Sequence, residues 1–214
     1  MKKLTLLLVC ICTVFTLQAN NGDKYEKAMK ANLSKLKTAK TKAELLAVAN
    51  QFERIGNAES NKWLPGYYAA YCYIRMARLE KEATSKDQVL DKAAALLEKA
   101  NKIDSKNSEL VTLGAYLTLT RLSVDPMVRG REYSGRTFAK IGKAKALNPA
   151  NPRPYFIEAI LKMNMPPAFG GGKEAACPVF KKAAKKFEAF KPGNGLMPDW
   201  GKETNAAIMK QGGC

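Results

Sequence analysis

From residue 22 onward the apolar positions return at three- and four-residue steps. Leu33 and Leu36, then Leu45, Leu46, Ala49 and Phe52, each fall along one side of a helix. No segment alternates apolar and polar residues between hairpin turns, so strands are not expected. The pattern predicts helices over 23–40, 42–56, 64–82, 86–103, 108–122, 131–147, 152–164, 173–190 and 199–211. The boundaries carry their own chemistry. Thr41 with Glu44 three residues later reads as a capping box. Asn148-Pro149 ends one helix, because the residue before proline is pushed out of the helical region. Gly170-Gly171-Gly172 separates two more helices, and Pro192-Gly193 breaks the chain before the last.

The chain also matches itself. Lys99–Ser108 aligns with Lys143–Pro152, an offset of 44 residues, and Leu97 then meets Ile141. Phe180 lies 39 residues beyond Ile141, and Phe52 lies 45 before Leu97. A period near 40 built from two helices is a solenoid signature. The second helix of each pair carries a small residue, then a bulky one, then alanine: Ala93, Leu97, Ala100; Thr137, Ile141, Ala144; Ala176, Phe180, Ala183. Small residues let helices approach and the bulky one fills the space between repeats. This pattern, with Pro149 as a stop in one copy and Ser105 in its place in another, resembles the second half of the tetratricopeptide (TPR) unit. The standard unit has 34 residues, and the first-helix signature is degenerate, with Gly114-Ala115 its best match. HEAT-type repeats, of similar length, are the structural alternative. The extra residues are expected between paired helices, at Thr84–Lys86, Ser123–Gly130 and Asn164–Gly172. The fold class expected is all-α: a TPR-like superhelical array of antiparallel helix pairs, about nine helices in the mature chain.

The first residues read as a secretory leader. Lys2 and Lys3 precede an apolar run from Leu4 to Leu17, and small Ala19 precedes polar Asn20-Asn21-Gly22-Asp23. The run is short for a transmembrane helix, which needs roughly 20 residues. Lipidation is the competing reading, but Val9 and Ile11, not small residues, precede Cys10 and Cys12. A signal peptide over 1–19 and one domain over 20–214 are expected, with a periplasmic or secreted location after cleavage near Ala19 and no transmembrane segment. The formal charge of +17 falls to +15 without Lys2 and Lys3. Such a balance often marks nucleic-acid binding, but the export signal argues against it. Lysines spread along helices usually form a solvated face, and an anionic envelope component is the partner they would suit otherwise. The chain has no histidine. That removes the usual general base and zinc ligand, and neither a metal nor a cofactor is predicted.

Cys72, Cys177 and Cys214 follow the leader. Export places them in an oxidising compartment, where one disulfide and one free thiol is the natural outcome. Helices 173–190 and 199–211 should form an antiparallel hairpin. The run from Cys177 to the hairpin end is roughly 20 Å, and the return to Gln211 roughly 17 Å. Gly212-Gly213 add about 10 Å of reach, so a Cys177–Cys214 bridge is expected, with Cys72 free and buried.

Longer phrases extend the likeness. Gln51–Ile55, Trp63–Tyr71, Ser123–Met127, Ala168–Glu174 and Pro198–Lys202 resemble a group of exported bacterial TPR proteins of undefined role. The Phe169-Gly170-Gly171 phrase is also similar to one in periplasmic TPR partners of TRAP-type transporters, a likeness that implies small-solute handling.

Three constellations are candidate partner or ligand sites. Tyr67, Tyr68, Tyr71 and Tyr73 crowd one first helix, followed by Arg75 and Arg78; first helices line the concave face of TPR arrays, as the resemblance implies. Helical spacing separates Tyr67, Tyr71 and Arg78 from Tyr68 and Arg75, and the second set, with Tyr116 on the next first helix, is expected to face the groove. Ser123–Arg136 reads as a loop whose Arg129 could grip an acidic group bidentately; the plainer reading has Asp125 capping a turn at Pro126 and the arginines in water. Phe169–Lys173 opens a helix whose amides could hold an anion with Lys173. Glu174 stands where a P-loop needs Ser or Thr, so the phrase is no nucleotide loop, and its plainer reading is a tight turn with Phe169 plugged into the core. Inserts at one point of successive repeats share an edge, so the last two constellations should be neighbours. The function expected is binding or scaffolding of a protein or peptide through the groove and the inter-helix loops, not catalysis. The alternative is a solute-binding accessory protein of an envelope transport system.

Overall fold

The computed structural model describes residues 22–214, and the leader expected over 1–19 lies outside them. Nine α-helices follow in order: α1 (22–38), α2 (Lys42–Ala58), α3 (Trp63–Ala77), α4 (Ala83–Ile103), α5 (Ser108–Leu122), α6 (Pro126–Leu147), α7 (Arg153–Asn164), α8 (Lys173–Ala189) and α9 (Lys202–Gly212). A 3-10 turn, Pro167–Phe169, separates α7 from α8. The described residues hold no strand, and the fold is all-α. No helix among them is long and apolar enough to cross a membrane.

The start signals act as their chemistry dictates. Thr41 Oγ1 accepts from Glu44 N–H while Glu44 Oε2 accepts from Thr41 N–H at 2.9 Å, the reciprocal capping box. Asn107 accepts from the amides of Glu109 and Leu110 at the head of α5. Hairpins α3–α4, α5–α6 and α7–α8 stack in order, so α3 touches α5 and α5 touches α7. The small–bulky–Ala triplets of α4, α6 and α8 all turn inward. Ala93, Leu97, Ala100, Thr137, Ile141, Ala144, Ala176, Phe180 and Ala183 are each buried.

Two expectations change. Of the three expected inserts only the one up to Gly172 lies between paired helices, after Asn164 ends α7 and before Lys173 opens α8. Thr84–Lys86 lie inside α4, and α6 begins at Pro126, leaving three residues between α5 and α6 rather than a loop from Ser123 to Arg136. Asp125 is the reason: its carboxylate accepts from Val128 N–H, and Pro126 supplies a preset φ in the first turn. The repeat is long because its second helices are long, 21 residues in α4 and 22 in α6. The first helix of the first full pair is correspondingly shorter than its apolar pattern suggests and ends at Ala77, not residue 82.

A polar seam ties successive repeats together. Ser108 Oγ donates to Ala144 O, and Asn151 Nδ2 donates to Ser108 Oγ. Arg153 donates to Glu109 at 2.8 Å, two residues 44 apart that occupy matching places in the repeat. Cys177, the fifth residue of α8, is bridged to Cys214, with Cα atoms 5.2 Å apart. Cys72 is the free, buried thiol.

Candidate functional site

The inward faces of α3, α5 and α7 do not enclose an open channel. The chain between α8 and α9 folds back into them. Leu196 and Pro198 are buried there, and Trp200 is half-buried. Three donors hold this segment by its polar atoms. Tyr68 Oη donates to Leu196 O at 2.6 Å, Trp200 Nε1 donates to Tyr67 Oη at 2.7 Å, and Arg153 donates to Pro198 O. Lys37 pairs with Asp199 at 2.9 Å from the α1 side. The Trp200 indole stacks on Tyr71 at 5.2 Å and on Tyr116 at 5.7 Å, and meets Phe156 edge-on at 6.4 Å. One residue from the returning segment thus touches an aromatic ring from each of the three first helices.

Beside this stack lies a cavity of about 370 Å³ between α1, α3 and the returning segment. Leu33, Leu36, Tyr71, Met197 and Trp200 give it apolar and aromatic walls; Lys37 and Arg75 give it cations, and Asp199, paired with Lys37, and Glu203 give it carboxylates. Arg75 donates to Leu36 O and to Ala39 O, satisfying carbonyls at the end of α1. Burial holds the Tyr68 and Tyr71 hydroxyls well above the ordinary phenol range, so both stay protonated at any physiological pH. Among the described residues no group of His, Cys, Asp or Glu is arranged to hold a metal ion.

The structure brings part of the sequence-derived set together here. Tyr68 and Arg75 both line the cavity, though Tyr68 is only 2 % exposed and its hydroxyl is engaged by the chain's own Leu196. The division of the tyrosines into one core set and one groove set does not hold: Tyr67 is as buried as Tyr68, and Tyr71 faces the cavity. Tyr116 sits under Trp200 and accepts from Arg78 at 2.6 Å.

The other candidates lie elsewhere and are differently occupied. Asp125 is the α6 cap. Arg129 is not in water but grips Asp87 with both terminal nitrogens, at 2.8 and 2.6 Å, and this pairing holds the Asp87 carboxyl below its usual range. Phe169 is 74 % exposed rather than plugged into the core. The glycine turn itself forms, with Gly170 and Gly172 at positive φ and no room for a side chain at Gly171 against the Met165 carbonyl. The amides of Gly170, Gly171 and Gly172 donate to Pro167, Pro166 and Lys162 carbonyls, so they are already spent within the turn. Lys173 opens α8 nearby, exposed. Met127 and Val128, at the head of α6, are likewise exposed, at 93 % and 80 %.

Trp200, Glu109 and Arg153 carry the inner face, and residue patterns gave no sign of this. The only local signal is Pro198-Asp199-Trp200-Gly201, an aromatic residue set in a Pro/Gly break. Trp200→Ala is expected to cost about 2–3 kcal/mol in denaturant unfolding, below the range for a fully buried tryptophan. Trp200→Phe, which keeps one ring and loses the Nε1–H bond and part of the indole's area, should cost about 1–2 kcal/mol. Equal losses would mean that the stack contributes nothing.

No protein-family model and no curated protein matches the chain. Among solved structures the chain is similar to the HusA haemophore from Porphyromonas gingivalis, at 29% sequence identity and a TM-score of 0.79, over 88% of this chain and 92% of that one.

Proposed function

We propose that the chain is a binding protein, acting in the periplasm or outside the cell, for a planar amphipathic anion of the haem class. The observation that carries this is the cavity wall in which Tyr71 and Trp200 stand beside Lys37 and Arg75, in a chain similar to a haemophore. A macrocycle has apolar faces that stack on aromatic rings and carboxylates that pair with cations. About 370 Å³ lies at the low end of ligand pockets, roughly 300–1,000 Å³, so the ligand would enter edge-on with part of it left in solvent. Histidine ligation of iron is not open to this chain. The reading therefore rests on stacking and charge. The disulfide supports an oxidising compartment.

The reading favours the solute-binding alternative over a peptide in the concave groove. Residues 196–200 already lie across the inner faces of α3, α5 and α7, where a peptide would have to lie. Titration of the protein with hemin, followed by its Soret band, is the test. Saturable binding is expected. Lys37→Gln should weaken it roughly tenfold, the worth of one charge-assisted contact, and Tyr71→Ala by at least as much. Binding that neither substitution changes would remove this cavity as the site.

A further inference from the structure

On the face of α5 turned away from Tyr116 a second cavity of about 450 Å³ opens between α4, α5 and α6. It shares no lining residue with the first. Its floor is aliphatic: Leu97, Leu110, Val111 and Leu117, with no aromatic side chain anywhere in the lining. Its rim carries Lys140 and Lys143 from α6. Neither lysine has a carboxylate within ion-pairing distance among the described residues, whereas Glu98 on the same rim is held by Lys102 at 3.0 Å. The Lys140 side chain lies back across Gly114.

Gly114 is the second observation. It sits in the interior of α5, where glycine is less favourable than alanine. Its φ is ordinary, so the backbone does not require glycine. Packing does not require it either: a Cβ at this position would meet only Cδ and Nζ of Lys140, both at 3.8 Å, an ordinary contact with a flexible chain. Ala115, its neighbour, is the residue pressed against the core. What the missing side chain does is widen the floor of the groove.

We infer that this groove is a second ligand site, for an unbranched acyl chain ending in an acidic head. The aliphatic floor takes the chain, and Lys140 and Lys143 take the head. The lack of a stacking ring separates this ligand class from the planar one assigned to the first cavity, and the inference uses no residue of that cavity.

The probe is cis-parinaric acid, a polyene fatty acid whose fluorescence rises in an apolar site, with its methyl ester as the uncharged control. Saturable binding of the acid is expected. Gly114→Leu should reduce its affinity at least tenfold while leaving the melting temperature and the hemin titration unchanged. The Lys140→Gln/Lys143→Gln double variant should weaken the acid roughly tenfold and leave the ester unaffected. If Gly114→Leu does not fold, the lysine pair decides alone, because both lysines are exposed. No binding by the native chain, binding indifferent to these substitutions, or binding lost instead in Tyr71→Ala would each overturn the inference.

Discussion

Replacing Arg153 with methionine is expected to cost about 3–5 kcal/mol, a large share of the stability of a domain this size. Arg153 is 1 % exposed and lies at the centre of the inner face. It donates to Glu109, which is itself buried, and to the Pro198 carbonyl, and its guanidinium stands 5.5 Å from the centre of the Trp200 ring. Methionine keeps most of the volume, so the loss is mainly electrostatic: Glu109 keeps its burial and loses its cation. The Arg153→Met/Glu109→Leu double variant should recover most of the loss, because a buried pair replaced whole is close to neutral. The pH dependence separates this from simple loosening. Burial already raises the Glu109 carboxyl above its ordinary range, with Arg153 working against the rise. Without Arg153 it rises further. An acid raised on folding binds its proton more tightly in the native state, so stability falls as pH increases from the unfolded value, about 4.3, through the native one. The penalty in Arg153→Met should be smallest near pH 4 and grow as pH rises towards 8 in urea unfolding. A penalty independent of pH would mean that Glu109 carries no buried charge.

The contrast between that pair and the rest of the chain shows what a sequence makes visible. Helical periodicity, the Thr41–Glu44 box and the inward triplets of α4, α6 and α8 are local, and local pattern found them. Charges behave otherwise. Glu109 and Arg153 look like any other charged residues of a basic helical chain, because nothing nearby in sequence marks them as buried; their partners are 44 residues away. The start of α6 was hidden for another reason. Met127 and Val128 break the amphipathic pattern by facing water, so only Asp125-Pro126 announces the helix. The returning segment was hardest of all. Its Trp200 donates to Tyr67 across 133 residues, and its Leu196 accepts from Tyr68 across 128. A Pro/Gly-rich stretch reads as a linker until the groove that receives it is known. The same fact relocates the candidate site. Tyr68 and Arg75 do meet the cavity, but as a wall shared with the chain's own backbone, while the α6 and glycine-turn candidates are taken up by caps, ion pairs and turn geometry.

Removing the Cys177–Cys214 bridge is expected to cost about 3–4 kcal/mol, the loop-entropy value for a separation of 37 residues. The loss should not be spread evenly. α9 packs chiefly on α8 and buries few residues, Asn205 being its one fully covered side chain. Without the bridge α9 keeps the Asn205 hydrogen bond to Phe180 O and the packing of Ile208 and Met209 on the core, and its first turn follows Trp200 through Gly201. Hydrogen exchange in Cys177→Ser/Cys214→Ser should therefore speed up first over 202–212, ahead of α3 to α8. Because Trp200 walls the first cavity, hemin affinity should fall in the same variant, though no bridge atom lines that cavity. Reduction of the native chain should reproduce both effects without disulfide exchange at Cys72, whose thiol is buried in α3 and pushed up to about 12 by desolvation. A reduced protein with an unchanged unfolding midpoint would show that α8 and α9 hold each other by packing alone. Unchanged exchange in α9 beside a lowered midpoint would place the strain elsewhere. A lowered midpoint with early opening of α9 and weakened hemin binding is the result that links the bridge, through Trp200, to the site.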